Sequence, residues 1–304
     1  MDDFLGLEKL NKLVGPSDFF LGCFPQTQLL FNIPQSGQNI EFDIKNILVM
    51  YSINKLYKSI WREIFISDNM AERGKLYGIG VGPGDTELLT LKAVRILETV
   101  PVVFSPKSSK EKESIAFSIV KPVIEGRKDY KKLMLVEPIF PMIEDKDELE
   151  RVWTSASELI AQYLDTGRDV AFITLGDPSI FSTYSYVQKK LKGAYEIETV
   201  PGITAFTACA AARNEALVEQ NDILSVVPKI DDRLDEVIEH SNAIALMKAS
   251  RNMRKLELKI ENNKRTTDIY SVQNCTRENE KVIEGFSKDK PYLTTTIIKL
   301  DDWV

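Results

Sequence analysis

Short apolar segments alternate with amphipathic segments along most of the chain, and each kind predicts its own element. KLYGIGV, VPVVFSP, DVAFITL and YEIETV are rich in β-branched and aromatic residues, so they predict strands. DILSVVP, NAIALMKAS, TDIYSVQN and YLTTTIIKL predict further strands in the second half. TELLTLKAVRIL places its apolar residues on one helical face, and Asp85 precedes it as a cap. Repeated strand, turn and helix predict an α/β protein whose sheets are covered on both faces.

Length and composition indicate two domains. The chain has 304 residues, 43% hydrophobic and 28% charged, which is ordinary for a globular protein with two cores. We place an N-terminal α/β domain at 70–193 and a C-terminal α/β domain at 194–304, so that the strand beginning at Tyr195 opens the second. Residues 1–69 combine aromatics, Pro, Gly and Gln without a clear period. We interpret them as an appendage of unknown role; the sequence leaves open whether it is ordered and whether it belongs to the working protein.

Charge and rare residues exclude several classes of function. The net charge of −6, without a dense basic stretch, argues against a nucleic-acid partner. Cys23, Cys209 and Cys275 lie far apart, so neither a disulfide framework nor a zinc site is predicted, and the cytoplasm is the default location. The one histidine, His240, lies in the polar run DEVIEHSN and is interpreted as a solvated residue at a helix end. No signal peptide and no membrane span is predicted.

Five turns at predicted strand ends are the strongest candidates for chemistry. They are GVGPGD (80–85), LGDPSIFS (175–182), VPGITA (200–205), MKASRN (247–252) and VQNCTREN (272–279). Ligands of open α/β sheets bind beyond the carboxyl ends of strands, where glycine lets the backbone approach closely. The first turn is not a dinucleotide-binding loop, because the third glycine of G-x-G-x-x-G would fall on Pro83 or Asp85. Each turn alone can also be only a tight connection.

Three of these turns carry a resemblance to a known family. LYGIGVGPGDTELLTLKAVRIL, TLGDPSIFSTYSYV and VPGITAFTACAAA resemble the tetrapyrrole methyltransferases of the cobalamin pathway, and the resemblance covers residues 74–300. It implies two α/β domains with the active site in the cleft between them, S-adenosylmethionine as methyl donor, and a homodimer. Within the family the chain is most similar to the enzymes that methylate C20 of precorrin-2 or of cobalt-factor II. The resemblance therefore implies a methyltransferase of cobalamin biosynthesis that holds no metal itself.

Carried over by position, the family's donor site falls on the turns. The implied S-adenosylmethionine-binding residues are Pro83, Leu175, Asp177, Ile180, Thr204, Ala205, Met247 and Cys275. Leu175 and Cys275 stand where the family often has glycine, so both are expected to contact the donor through the backbone only. Asp177 can also be the N-cap of the following helix, with Pro178 at its first position.

The implied acceptor is a reduced tetrapyrrole with many carboxylates, which an acidic protein repels unless cations line the site. The candidate cations are Lys107, Arg213, Lys248 and Arg251, with Lys110 and Arg254 as further candidates. Lys248 and Arg251 are favoured because they follow a strand whose end is expected to face the cleft. Each of these charges can equally be a solvated surface group. The base that removes the C20 proton is not identified, and Tyr184 and Asp85 are the candidates.

Other functions remain open. Within the same fold the methyl acceptor can be uroporphyrinogen III, another corrin intermediate, a ribosomal RNA ribose or a modified histidine, although the negative charge fits RNA poorly. From a different class, the chain can be a non-catalytic nucleotide-binding or scaffold protein whose turns only connect strands. Binding of S-adenosylhomocysteine distinguishes a site built from five turns from such a scaffold.

Overall fold

The first strands that the structure describes form a five-stranded parallel sheet. The computed structural model describes residues 73–247, 253–288 and 293–301, so the predicted appendage at 1–69 lies outside the described residues. The strands of this sheet, in the order β3-β2-β4-β1-β5, are β1 (Leu76–Gly80), β2 (Val102–Phe104), β3 (Met134–Val136), β4 (Val170–Thr174) and β5 (Ile197–Val200). Every pair in the sheet is parallel, so all five carboxyl ends lie at one edge.

Helices cover both faces of this sheet. They are α1 (Leu91–Leu97), α2 (Ile115–Glu125), α3 (Lys146–Asp165) and α4 (Tyr184–Leu191). Alternate residues of a strand point to opposite faces: Ile173 packs with α1 and α2, whereas Phe172 packs with α3 and α4. The sheet is therefore buried on both sides, and its polar chemistry is confined to its edges.

The helix predicted after the first turn is divided in two. Asp85 caps only a 3-10 turn, Thr86–Leu88, by accepting a hydrogen bond from the Glu87 N–H at 2.8 Å. Helix α1 has its own N-cap, because the Thr90 side chain accepts from the Ala93 N–H at 3.2 Å.

A second, mixed sheet follows. Its strands, in the order β6-β7-β10-β8-β9, are β6 (Leu224–Val227), β7 (Ala243–Met247), β8 (Thr266–Gln273), β9 (Lys281–Glu284) and β10 (Thr294–Leu300). Only β6 and β7 are parallel; β10 runs antiparallel to β7 and β8. Met247 pairs with Thr295 and Gln273 pairs with Thr294, so β7 and β8 end at the same edge.

Helices α5 (Ala205–Arg213), α6 (Leu234–Glu239) and α7 (Met253–Glu261) accompany this sheet. Leu246 packs with α6 and α7, whereas its neighbour Ala245 packs with α5. Helix α5 ends at Asn214 in the left-handed conformation, φ 55°, which is a common way to terminate a helix. The two-sheet α/β architecture predicted from the sequence is confirmed.

The assignment of one strand needs correction. The strand that the sequence placed in the C-terminal domain, β5, pairs with β1 and completes the first sheet. The change from one sheet to the other therefore comes after Val200 and not at the predicted 193/194 boundary. Two further strands, β3 and β9, were not predicted; each is short and lies at a sheet edge.

Candidate functional site

The turns after β1, β4 and β5 contact one another through the backbone of their glycines. Gly82 and Gly176 exchange two hydrogen bonds, of 3.2 Å and 2.8 Å. A Cβ added to Gly202 would lie 2.2 Å from the Gly176 carbonyl oxygen, and one added to Gly80 would lie 2.6 Å from the same oxygen. No side chain fits at these contacts, so the glycines that the sequence singled out are required by the approach of the turns after β1, β4 and β5.

Asp177 links two of these turns. Its Oδ1 accepts from the Ser179 N–H at 2.8 Å and from the Ser179 hydroxyl, and its Oδ2 accepts from the Gly202 N–H at 2.9 Å. Burial alone would raise the pKa of this carboxyl, but the hydrogen bonds from Ser179 and Gly202 outweigh it and hold the pKa below its ordinary value. The N-cap prediction for Asp177 is wrong, because α4 begins only at Tyr184, after Thr183.

The turn after β8 closes on the first sheet. The Asp85 N–H donates to the Thr276 hydroxyl at 3.0 Å, and a Cβ on Gly84 would lie 2.8 Å from the Cys275 carbonyl oxygen. Asn274 and Thr276 have positive φ, 50° and 62°. A β-branched residue in that region is strained, and such strain is concentrated at sites where the surroundings fix the backbone. The two sheets are therefore in direct contact at these turns.

One apolar cluster joins the remaining turns. Ile180, Ile203, Met247 and Cys275 all pack in the cluster that includes Phe206 of α5. Ile180, Ile203 and Cys275 lie in the turns after β4, β5 and β8, and Met247 is the last residue of β7. Parts of all five turns therefore lie together, as far as the described residues extend.

The remaining predicted donor-site residues lie in the same region. Pro83 is buried beside Gly84, and Leu175 is half-buried against the core of the first sheet. Thr204 and Ala205 begin α5, where the Thr204 hydroxyl bonds Thr207 and does not cap the helix. First-turn N–H groups of a helix need such partners, so the start of α5 offers donors to a ligand.

Cys275 is linked to a second thiol. It is buried beside Cys209 of α5, and both are free cysteines. A hydrogen bond with Cys209 and then burial raise the pKa of the Cys275 thiol. The Cys275 thiol is therefore protonated and apolar in character, which leaves the Cys275 backbone as its polar group.

The predicted acceptor-binding cations are less well placed. Lys107 forms an ion pair with Glu137 at 2.8 Å. Arg213 pairs with Asp268 and Glu284, both at 3.3 Å, and its guanidinium lies 4.5 Å from the Tyr270 ring centroid. Asp268 lies near the start of β8, opposite Lys299 of β10, whereas the turns follow the other end of β8. Arg213 therefore lies at the end of the second sheet that is away from the turns. These contacts give Lys107 and Arg213 structural partners and do not favour a substrate role.

Other predicted cations are exposed or not described. Lys248 and Arg251 lie outside the described residues. Lys110 is exposed, and Arg254 pairs with Glu257 on α7 at 3.6 Å.

One arginine in the turn after β8 was not singled out from the sequence. Cγ of Arg277 lies so close to Gly84 that a Cβ there would be 2.4 Å away. Its position after a strand end is the same signal that favoured Lys248 and Arg251, so this signal could have identified it.

The two candidate bases differ in placement. Tyr184 is buried beneath β1, where a Cβ on Gly78 would lie 2.1 Å from its Cζ. Burial raises the pKa of its hydroxyl, and a 3.5 Å contact with Thr199 only partly opposes this. Tyr184 therefore stays protonated in the core and is a poor base. Asp85 is half-buried at the first turn and remains a candidate.

A donor such as S-adenosylmethionine has an adenine that needs apolar surroundings and polar edges that need backbone donors and acceptors. Ile180, Ile203 and Met247 are apolar residues that could surround such an adenine. Within the described ranges, no group of three or more His, Cys, Asp and Glu side chains could hold a metal, and no helix is long and apolar enough to cross a bilayer. His240 is exposed at the end of α6, as predicted.

The chain is similar to known proteins over most of its length. The family model of Tetrapyrrole (Corrin/Porphyrin) Methylases matches residues 75–290. The chain is 40% identical over 232 residues to a probable cobalt-precorrin-2 C(20)-methyltransferase of Methanocaldococcus jannaschii, covering 74% of this chain and 96% of that protein. It is 29% identical to a precorrin-2 C(20)-methyltransferase of Sinorhizobium sp, covering 74% of this chain and 95% of that protein.

Solved structures share the fold. A cobalt precorrin-4 methyltransferase superposes with a TM-score of 0.59 at 20% identity, covering 76% of this chain and 98% of that one. A uroporphyrin-III C-methyltransferase from Thermus thermophilus, in complex with S-adenosylhomocysteine, has a TM-score of 0.52 at 18% identity and covers 74% of this chain and 97% of that one.

Proposed function

The chain belongs to the tetrapyrrole (corrin/porphyrin) methylases, and we propose that it transfers a methyl group from S-adenosylmethionine to C20 of precorrin-2 or of its cobalt-containing counterpart, cobalt-factor II. The reaction is a step of cobalamin biosynthesis. The substrate follows from the relatives that carry C20-methyltransferase names, one of them 40% identical to this chain.

The observation that carries the proposal is the meeting of turns from two sheets. The turn 80–85 contacts Gly176 and Gly202 on one side and Cys275 and Thr276 on the other. At Gly80, Gly84 and Gly202 the neighbouring turn lies so close that a Cβ would not fit. Turns that only connect strands do not require such close contacts. A pocket between two sheets explains them.

The residues of this pocket bind and orient the reactants. The donor supplies a methyl group on a sulfonium sulfur. In the proposal, backbone groups at Pro83, Leu175, Thr204, Ala205 and Cys275 read its polar edges. Ile180 and Met247 pack against its apolar surface. Asp177 joins the turns after β4 and β5 through its hydrogen bonds to Ser179 and Gly202. Good alignment of two bound reactants is worth about 7–11 kcal/mol of the activation barrier.

A base is needed after methyl transfer, to remove the C20 proton. Asp85 is the better candidate for this base, because it is half-buried at the first turn whereas Tyr184 is enclosed in the core. Homodimeric assembly and a cytoplasmic location complete the proposal. The first rests on the family resemblance, and light scattering of the purified protein tests it. The second rests on the cysteine pattern, with Cys209 and Cys275 as free thiols.

Methyl transfer from labelled S-adenosylmethionine tests the substrate. The purified chain is incubated with precorrin-2, with cobalt-factor II or with uroporphyrinogen III, and the labelled carbon is located by NMR. We expect label at C20 of one or both of the first two and none on uroporphyrinogen III. Label on uroporphyrinogen III alone would overturn the substrate, and failure to bind S-adenosylhomocysteine would overturn the enzyme assignment.

A further inference from the structure

Arg277 has a buried donor without an acceptor. Its Nη1 is inaccessible to solvent and forms no hydrogen bond with any described residue. Glu280, in the same turn, accepts a hydrogen bond from the Thr276 N–H instead. A buried cationic donor is costly unless it is paired, so an open one calls for an acceptor from water, an ion or another molecule.

Two other partly or fully enclosed arginines, Arg127 and Arg265, donate from their guanidinium nitrogens to acceptors of the protein. Arg127 donates from Nη1 to the carbonyls of Leu97 and Val100, at 3.0 Å and 2.8 Å. Arg265 donates to carbonyls from Nε, Nη1 and Nη2, among them the Ser241 carbonyl at 2.9 Å. Both guanidiniums serve the fold, because protein acceptors use their donors. Arg277 differs from them in its unused nitrogen.

Arg277 lies where the two sheets meet. Its Cγ packs on Gly84, next to Pro83 in the first turn, and its own turn begins with Asn274 and contains Cys275. Thr276, immediately before Arg277, has a positive φ of 62°, which is strained for a β-branched residue. The Arg277 side chain therefore lies at the proposed pocket on a turn that also contacts Asp85 through the Thr276 hydroxyl.

We propose that Arg277 binds a carboxylate of one of the two reactants, a role that rests on the proposed function. A guanidinium pairs with a carboxylate through two parallel N–H···O bonds, which a lysine cannot reproduce. In the proposed reaction two reactants carry carboxylates: the methyl donor in its amino-acid head and the tetrapyrrole in its acetate and propionate groups. With a net charge of −6, the protein needs a local cation to hold either one.

Binding of two nucleosides distinguishes these sources. S-adenosylhomocysteine carries the carboxylate, and 5′-methylthioadenosine lacks it. If Arg277 binds the donor, Arg277→Met weakens S-adenosylhomocysteine by about 10- to 100-fold in calorimetric titration and leaves 5′-methylthioadenosine unchanged. If it binds the acceptor, both nucleosides bind as before and KM for precorrin-2 or cobalt-factor II rises about tenfold or more.

Two further variants complete the test. Arg277→Lys keeps the aliphatic stem and the charge but not the paired donors. We therefore expect it to change the same quantity as Arg277→Met, the S-adenosylhomocysteine affinity or the KM, by a smaller factor. Arg233→Gln removes one exposed arginine, paired with Asp231 at 2.6 Å, and should change neither arm. Circular dichroism confirms folding of each variant, and if Arg277→Met does not fold, Arg277→Lys decides.

Unchanged affinities and an unchanged KM in a folded Arg277→Met protein overturn this inference but leave the proposed function standing. A wild-type chain that binds no S-adenosylhomocysteine and methylates no tetrapyrrole overturns both.

Discussion

The Gly202 N–H donates a hydrogen bond to Oδ2 of Asp177 at 2.9 Å, which joins the turn after β5 to the turn after β4. Asp177 is 8% exposed, and its other oxygen is occupied by Ser179. The carboxylate therefore acts as a clamp between two parts of the proposed donor pocket.

Replacing Asp177 should loosen that clamp. Hydrogen bonds to a charged group contribute about 1.5–3 kcal/mol each, so we expect Asp177→Ala to lower the free energy of unfolding by about 3 kcal/mol and Asp177→Asn by less. Urea denaturation at pH 7 measures both. Glu158→Gln, an exposed change on α3, is the control and should have little effect. A stability equal to that of the wild type in Asp177→Ala would show that the clamp is unimportant.

The same carboxyl predicts a dependence on pH. Its pKa is lowered in the folded protein, so the unfolded chain binds the proton more readily. The stabilisation by Asp177 is then complete above the ordinary aspartate pKa of about 3.9 and is lost as the pH falls below it. We expect the stability difference between the wild type and Asp177→Ala to shrink between pH 5 and pH 3, measured by denaturation at each pH. A constant difference would contradict this.

Gly202 should not tolerate a methyl group. A Cβ there would lie 2.2 Å from the Gly176 carbonyl oxygen, which is backbone and cannot move aside. We expect Gly202→Ala to cost about 1–3 kcal/mol of stability and to lower the rate of methyl transfer about a hundredfold. Gly193→Ala is the matched control: a φ of 91° strains an alanine, but nothing lies within 4 Å of the added Cβ. It should cost about 1 kcal/mol and leave methyl transfer unchanged.

Tyr270 offers a substitution that should not destabilise. Its side chain is fully buried, and its hydroxyl has no hydrogen-bond partner among the residues that the structure describes. Burial raises the pKa of Tyr270 to about 12, so the folded state loses stability as the pH rises through the interval from 10 to 12. We expect Tyr270→Phe to equal or exceed the wild type by up to about 1 kcal/mol at pH 7 and to weaken this alkaline loss. A clear loss of stability at pH 7 would mean that the hydroxyl has a structural role.

The two buried thiols should be slow to react. Cys209 is fully buried and Cys275 is 7% exposed, and the raised pKa of Cys275 leaves little thiolate. In a Cys23→Ser background, which leaves only these two, Ellman's reagent should react at least about a hundredfold more slowly in the native protein than in urea. S-adenosylhomocysteine should slow the reaction further, because Cys275 lies in the proposed pocket. Equal rates with and without urea would contradict the buried pair.

The sequence predicted the strands that carry the turns, because their apolar segments are bounded by Gly and Pro. It did not predict β3 or β9, which are short edge strands with largely exposed side chains and so lack the apolar pattern. It also placed β5 with the wrong sheet, since an apolar segment does not reveal which strand it pairs with. The partner of β5 depends on β1, more than a hundred residues away in the chain.

The site was predictable to a similar depth. The turns could be predicted because glycine and proline have distinctive backbone preferences that mark turns in a sequence. The family resemblance then assigned donor-site residues to these turns. The role of Asp177 as a clamp, the ion pair of Lys107 and the open nitrogen of Arg277 could not be found in this way. Each depends on which partner a polar side chain meets in three dimensions, and a lysine with an acid beside it looks the same in a sequence as one without.

The late crossing between sheets, after Val200, has a mechanical consequence. Strand β5 belongs to the first sheet, while Phe206 and Cys209 of α5 pack on the second. Residues 201–204 are therefore the covalent connection between the two sheets, and they border the proposed pocket. A movement of one sheet against the other would strain this connection and the proposed pocket together.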